Sequence, residues 1–445
     1  MNLIDEQTPV VAPPNLEIFG RLPVQNSIEK TRTYKVTPFA QLNSGSNYEF
    51  KIVSSANEFI PLNKIKLRVK MRVKLAKNDT AALAATDWDK VSMVNNIIHS
   101  LWSQVDVFLG DTPLTTSLQT YPYLAYLMTL FNTPKRQQDL SKVLAGYNDD
   151  NMSSTAKDLP NSVRSSMLKP DSAPYDTSKT VVLQDYLFVD PFNIPLDLIG
   201  KTELTVRLIQ SKPDFLFIIN DSKLTPSLEF LELQLIVPKH RINGNVMAGI
   251  YTTMNKELVK YPYTRREVRS FTIENGTTSK HIDNLIMGQM PRKIFLAFAS
   301  NQAVTGSVTK NPYYFGTYGL DYLQCFINGE PVRSEAYQPD FDNGIYDEEY
   351  LEFLRITGNL NNNPQTTITP SKWRFGYTIF AFDASQDQSD EIDKSGYLNL
   401  RQDGSLSISM RFKQPINETV NCIMFCVYDN QMSIDEFRNV YIDSV

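Results

Sequence analysis

The chain has 445 residues, 42% hydrophobic, with 44 Lys+Arg against 49 Asp+Glu and a formal net charge of −5. That length allows two or three domains, and the apolar content excludes a disordered chain. The mildly acidic balance, with neither end basic, excludes a protein that coats nucleic acid through a basic arm, so no strong direct nucleic-acid binding is expected.

Residues 1–24 contain Pro9, Pro13, Pro14 and Pro23 and little periodicity. They read as an extended N-terminal arm, either a tail or a segment that orders against a neighbouring subunit. Strands are expected at 33–37, 47–53, 64–76, 102–109, 180–189, 202–210, 214–219 and 228–237, the last stopped by Pro238. The segment from Lys64 to Leu75 alternates cation and apolar side chain without a break. On a strand this places Lys64, Lys66, Arg68, Lys70, Arg72 and Lys74 on one face and six apolar groups on the other. A row of like charges must find water, carboxylates or phosphates. We expect first a solvated face or one covered by acidic loops of the same chain, next a subunit-contact face, and last a polyanion stripe.

Two helices are expected in this half. One spans 89–101, where Val91, Val94, Ile97, Ile98 and Leu101 make a helical stripe with Asp87 or Asp89 near its start; the other spans roughly 122–131, with Pro122 in its first turn. Residues 135–178 read as a long polar surface excursion.

The second half repeats the plan. Strands are expected at 269–274, 293–300, 321–327, 374–382, 405–412 and 420–428, with weaker ones at 258–262 and 397–401. Phe326 to Val332 reads as a hairpin turning on Asn328-Gly329. A helix is expected at 346–354, capped by Asp342 or Asn343, and 358–372 reads as an Asn/Thr/Pro loop. Each half thus offers about eight strands, the jelly-roll count, with short helices in the long connections. The fold expected is all-β: an arm at 1–24, a first jelly roll at 25–240 and a second at 241–445.

No apolar run approaches the roughly 18 residues of a membrane span, and no secretory signal or lipidation motif is visible, so synthesis in the cytosol is expected. Sequons such as Asn275-Gly276-Thr277 and Asn417-Glu418-Thr419 then read as chance matches. The three cysteines do not make a disulfide framework: Cys422 and Cys426 on one strand stand too far apart to bridge.

Catalytic signatures are missing. His99, His240 and His281 have no metal-binding spacing, and no Gly-rich phosphate loop, nucleophile elbow or CxxC occurs. His99 lies beside the apolar stripe of its expected helix, and a packing or surface position is the preferred reading. Asp340, Asp342 and Asp347, with Glu348 and Glu349, form the one weak metal candidate. It fails the EF-hand pattern, because Gly344 falls one place early and Leu351 holds the bidentate position, so helix capping is the preferred reading. No cofactor is expected.

The run Asn96-Ile97-Ile98-His99-Ser100-Leu101-Trp102-Ser103-Gln104-Val105-Asp106-Val107-Phe108-Leu109, followed by Tyr121-Pro122-Tyr123-Leu124, resembles the major capsid protein of Polinton/Maverick elements and adintoviruses. The likeness continues through Lys310-Asn311-Pro312, Leu323 to Val332, Gln338 to Phe341, Gly376 to Asp383, Asp429-Asn430 and Arg438-Asn439-Val440. It spans about residue 60 to the C-terminus and departs at Gly110-Asp111-Thr112, where members more often carry an Asn-Gly hairpin. The resemblance implies a double jelly roll of the adenovirus-hexon-like lineage and structural roles for Ser100, Leu101, Trp102, Gln104, Val105, Asp106, Tyr121, Pro122 and Tyr123. It also implies a pseudo-hexagonal homotrimer tiling an icosahedral shell around double-stranded DNA, with penton and minor capsid partners, a processing protease and a packaging ATPase. The shell protein would reside in the virion after assembly in the host nucleus, and would not be an enzyme. Two other readings stand beside it. One is a glycan- or receptor-binding β-sandwich presenting Tyr313, Tyr314 and Tyr318. The other, a cupin-type oxygenase, lacks the clustered histidines it would need.

Overall fold

The computed structural model describes residues 24–43, 45–79, 82–149, 154–155, 163–360, 365–386, 388 and 399–442. The N-terminal arm, apart from Val24, lies outside the described residues.

The first half contributes β1 (Ile28–Val36), β2 (Asn47–Val53), β3 (Glu58–Pro61), β4 (Lys66–Lys77), β5 (Val91–Met93), β6 (Trp102–Leu109), β7 (Thr112–Pro113), β8 (Val181–Tyr186), β9 (Asp197–Leu198), β10 (Glu203–Gln210), β11 (Phe217–Ile219) and β12 (Leu224–Ile242). After the helix Gly244–Met254 come β13 (Val259–Ile273), β14 (Ser279–Gln289), β15 (Lys293–Ser300), β16 (Leu320–Ile327), β17 (Glu330–Pro331), β18 (Ile379–Asp383), β19 (Asp403–Phe412), β20 (Val420–Ile434) and β21 (Val440–Ile442). The halves repeat one antiparallel plan. In the first, β1-β12-β4-β8 packs against β2-β10-β6-β7; in the second, β13-β20-β15-β18 packs against β14-β19-β16-β17. This is the strand order of two jelly rolls, so the expected fold class is what the chain adopts.

The alternation in β4 does what its period demands. Leu67, Val69, Met71, Val73 and Leu75 are buried in the first core, while the intervening cations face outward. β15 is different: all of its residues are buried. One face serves the second barrel's core; the other is covered by helices from the long connections. Lys293, at the start of β15, is buried because its Nζ donates to Ile356 O, 3.1 Å away, at the C-terminal end of the helix Asp347–Ile356. That end carries the negative pole of the helix.

Several local expectations change. Val91, Val94, Ile97, Ile98 and Leu101 are all buried, but they do not share one helix. A 3-10 turn (Ala85–Lys90) leads into β5, and only Ile97–Ser100 is helical. Asn96 breaks the run with φ 54°, and the Asn95 side chain is held by Asn148. β12 continues through Pro238 to Ile242. The missing N–H costs no ladder bond there, because pairing with β4 ends at Ile236 and pairing with β3 begins at His240. β1 begins five residues earlier than expected, at Ile28. Residues 213–216 and 370–374 form helical turns ahead of β11 and β18, and the weak strand at 397–401 is absent from its described residues 399–401. β14 had no forecast, since a register shift between Ile282 and Ile286 breaks its alternation. The helix Asp347–Ile356 starts after Tyr346 without a side-chain cap, so neither Asp342 nor Asn343 caps it. The hairpin at Asn328-Gly329 forms as expected, with φ 54° and 83°.

The polar stretch 135–178 is not purely a surface excursion. Gln138, Lys142, Ala145 and Tyr147 are buried. Just before it, the helix Tyr121–Asn132 leaves the first barrel and inserts Tyr126, Leu127, Leu130 and Phe131 into the second core. Phe131 packs on Phe295 at 4.8 Å between ring centroids, and on Phe353 and Phe425 at 5.8 Å each. Truncating it removes the central ring of this cluster. We predict that Phe131→Ala costs about 3–5 kcal/mol, the range for large-to-small changes of aromatic core residues. Urea unfolding should show it, with the single transition broadening or splitting as the barrels lose their shared core.

Candidate functional site

Sequence Ser100-Leu101-Trp102 and its partner Tyr121-Pro122-Tyr123 form a knot at the junction of the barrels. Ser100 Oγ lies 2.5 Å from Tyr313 Oη, a bond from the first half of the chain to the second. Leu101 is buried and its carbonyl accepts from Ser211 N at 2.8 Å. Trp102 stacks on Phe230 at 5.6 Å and meets Tyr48 edge-on at 5.9 Å. Gln104 donates to Asp106 at 2.8 Å, Ser117 donates to the same carboxylate at 3.3 Å, and Val105 packs in the core. Pro122 takes the helix start, where no N–H partner is needed. Thr120 Oγ1 donates across the junction to Val268 O at 2.8 Å. Tyr126 stacks on Tyr313 at 4.1 Å, and Tyr123 meets the same ring edge-on. Tyr313 is thus fully buried and cannot serve a sugar, which corrects the aromatic platform considered above.

His99 has a larger role than packing. Its Nδ1 lies 2.9 Å from Tyr121 Oη and its Nε2 lies 3.2 Å from Asp185 Oδ2; Lys142 Nζ reaches the same oxygen at 2.6 Å. Lys142 also sits over the Phe188 ring at 4.5 Å. Burial would raise the Asp185 pKa, but hydrogen bonds and charge from His99 and Lys142 outweigh it and hold the carboxyl at about 2. Burial disfavours the imidazolium of His99 and lowers its pKa. At neutral pH, Lys142 therefore supplies the counter-charge, while neutral His99 donates from Nε2 and accepts a hydrogen bond from the Tyr121 hydroxyl at Nδ1. This network pins the insertion carrying Lys142 to β8 and to the motif. The lone histidine and distant lysine gave no sequence signal, because the four residues come from four separate elements.

The cationic face is half neutralised from within. Arg68 pairs with Glu232 at 3.3 Å; Arg72 and Lys74 both pair with Glu229, Lys74 at 3.1 Å. The hydrogen bonds from Arg72, then Lys74, hold the Glu229 carboxyl below its usual range. The acids come from the neighbouring strand β12, not from loops. Lys66 lies over the Tyr186 ring at 4.9 Å. Lys70 and Lys64 find no ion-pair partner among the described residues. Lys64 also leaves the face: it ends a 3-10 turn (Leu62–Lys64) that buries Leu62, so β4 starts at Lys66.

The acidic group closes on itself. Asp340 accepts from Asn343 N and Nδ2, at 3.3 and 2.6 Å, and Lys413 bridges Asp342 and Asp340. Arg333 pairs with Glu348. Asp347 opens the helix that follows. Among the described residues no group of three or more His, Cys, Asp or Glu could hold a metal ion. Cys325, Cys422 and Cys426 are free and buried, and burial pushes their thiols up. No helix among the described residues is long and apolar enough to cross a membrane.

No family model matches the chain. An uncharacterized protein of Caenorhabditis elegans is 23% identical over 359 residues, covering 79% of this chain and 82% of its own length. Solved structures share the fold over nearly the whole chain. A chain of the Sputnik virophage superposes with TM-score 0.69 at 13% identity, over 98% of this chain and 93% of its own. The Faustovirus major capsid protein gives 0.59 at 9% identity, over 96% and 93%; the mavirus major capsid protein gives 0.58 at 12%, over 99% and 96%.

Two proton-linked outcomes follow from the buried network. The unfolded chain protonates His99 near its ordinary value of 6.5, whereas the folded imidazole resists, so stability falls as pH drops through that value. Asp185 adds stability that is present above its ordinary 3.8 and is lost as pH falls toward about 2. We expect His99→Gln to flatten the loss of unfolding free energy between pH 7 and 5, measured by urea titration at each pH. Lys142→Met leaves Asp185 buried with no permanent counter-charge and should cost about 3–5 kcal/mol at pH 7.

Proposed function

We propose that the chain is a major capsid protein of the Polinton/Maverick–adintovirus type, whose activity is self-assembly. Its division is an arm at 1–24, a first jelly roll at 25–240 and a second at 241–445; β12 carries the first barrel's last strand two residues past that boundary, to Ile242, and the helix Gly244–Met254 then leads to β13. The observation that carries this reading is the duplicated strand order fused through one shared aromatic core. Two similar barrels side by side give a monomer an approximate two-fold repeat, so three copies close a six-sided capsomer. Likeness to virophage, mavirus and Faustovirus capsid chains over nearly the whole length supports the same reading. A nematode relative over most of the chain fits an element carried by animal hosts. The proposed product is an icosahedral shell around double-stranded DNA, completed by penton and minor capsid proteins. It is made in the host cytosol, assembled in the nucleus, and works without catalysis or cofactor.

Trimer formation would need a large apolar interface, and trimer-to-trimer contacts would be weaker and polar. We assign the second kind to the outer face of β4, where Lys70 keeps an unneutralised charge beside Lys66, Arg68, Arg72 and Lys74, with Lys64 at its end. Ser100 to Asp106 and Tyr121 to Tyr123 act inside the monomer, holding its barrels in register.

Light scattering of the purified chain should give a particle of about 150 kDa, three copies of 50.8 kDa. Negative-stain images should show hexagonal outlines; a monomer at micromolar concentration would end the reading. Lys64→Glu with Lys70→Glu should leave trimers intact and weaken their further association at low salt. If association is unaltered at every ionic strength, the face is merely solvated.

A further inference from the structure

An opening lies apart from the charged face. A cleft of about 380 Å³ runs between the barrels, within the range of small-molecule sites. Its apolar wall is Tyr123 and Phe215 from the first half and Val268 and Val304 from the second. Tyr123 and Phe215 meet edge-on at 6.1 Å, so the wall is preformed. Two polar groups need partners there. Ser211 is 4% exposed, and neither its Oγ nor the buried Oη of Tyr123 has a hydrogen-bond partner among the described residues. A buried hydroxyl without a partner is costly, and a ligand oxygen relieves that cost. Lys212, exposed and next in sequence to Ser211, also lines the cleft and has no ion pair among the described residues.

We propose that this cleft binds an anionic amphiphile, a carboxylate with an unbranched apolar chain. The chain lies along Tyr123, Phe215, Val268 and Val304. The carboxylate lies between Ser211 and Lys212, taking a hydrogen bond from the buried Ser211 Oγ and the charge of the exposed Lys212. Because the walls come from both barrels, occupancy favours the docked arrangement and stabilises the folded chain by mass action. The inference rests on the fold and not on capsid assembly.

The test is calorimetric titration of the full chain with decanoate, kept below its micellar concentration, beside decanol and decyltrimethylammonium. Saturable binding of one decanoate per chain is expected, with decanol weaker and the cation weakest. Removing a charge-assisted contact weakens binding by about tenfold or more, so Lys212→Glu should do so. Val304→Trp fills the cleft and should abolish binding. Ser270→Trp, at an exposed lining position on β13, does the same without touching the core and covers the case in which the first variant fails to fold. No saturable binding, equal binding of the cationic amphiphile, or wild-type affinity in Lys212→Glu and Ser270→Trp would each overturn the proposal. The titration reads the cleft in any oligomeric state, so its failure leaves the assembly reading standing, and failure of assembly leaves the cleft to be judged on its own.

Discussion

The helix Tyr121–Asn132 is the constraint on which the architecture depends. Its first turn is tied to the first barrel through Tyr121 and the His99–Asp185–Lys142 network, while its apolar side chains complete the core of the second. Without it the first core would lose Tyr121 and Ala125, and the second Tyr126, Leu127, Leu130 and Phe131. β15 can be apolar on both faces only because helices cover the side that a free-standing barrel would leave wet. Further ties run the same way. Arg266 N donates to Asp190 at 2.9 Å, Tyr261 Oη donates to Asp197 O at 3.1 Å, and Arg438 Nε donates to Gly200 O at 2.9 Å. Met432 and Ile434 of β20 join the first core. The barrels thus exchange segments in both directions and form one interlocked body.

Such interlocking fixes the junction. Two barrels joined by a linker alone would hinge there. Several polar groups buried there are answered: Ser100 by Tyr313, Asp185 by Lys142 and His99, Lys293 by the end of a helix; the hydroxyls of Ser211 and Tyr123 are not, among the described residues. The outer face of β4 follows the same economy. Its cations would repel one another in a row, and Glu229 and Glu232 on the adjacent strand remove much of that repulsion.

Residue order alone was enough for the two-fold plan of strands and for the face each long strand presents. β2, β6 and β15 fall where the sequence places them, because alternation or a continuous apolar run reports burial directly. The family resemblance added the double jelly roll and marked Ser100 to Asp106 with Tyr121 to Tyr123, without saying what they touch. Errors cluster where periodicity is ambiguous. The stripe from Val91 to Leu101 has helical spacing and is buried as a helix face would be, yet Asn96 in a left-handed conformation divides it between a strand and a single helical turn. Pro238 carries a strand-breaking signal that is harmless only because of where β3 and β4 end.

Local patterning, then, determined this protein's class of fold, its pair of similar halves and its lack of recognisable catalytic or metal-binding motifs. Those properties follow from side-chain period and residue type, which are short-range quantities. Only the tertiary structure decided that a helix of one half fills the core of the other, that His99 meets Asp185 and Lys142, and that a cleft remains between Ser211 and Val304. Each joins residues dozens to hundreds of positions apart, and the free energy of such contacts depends on a mutual geometry that no window of sequence contains.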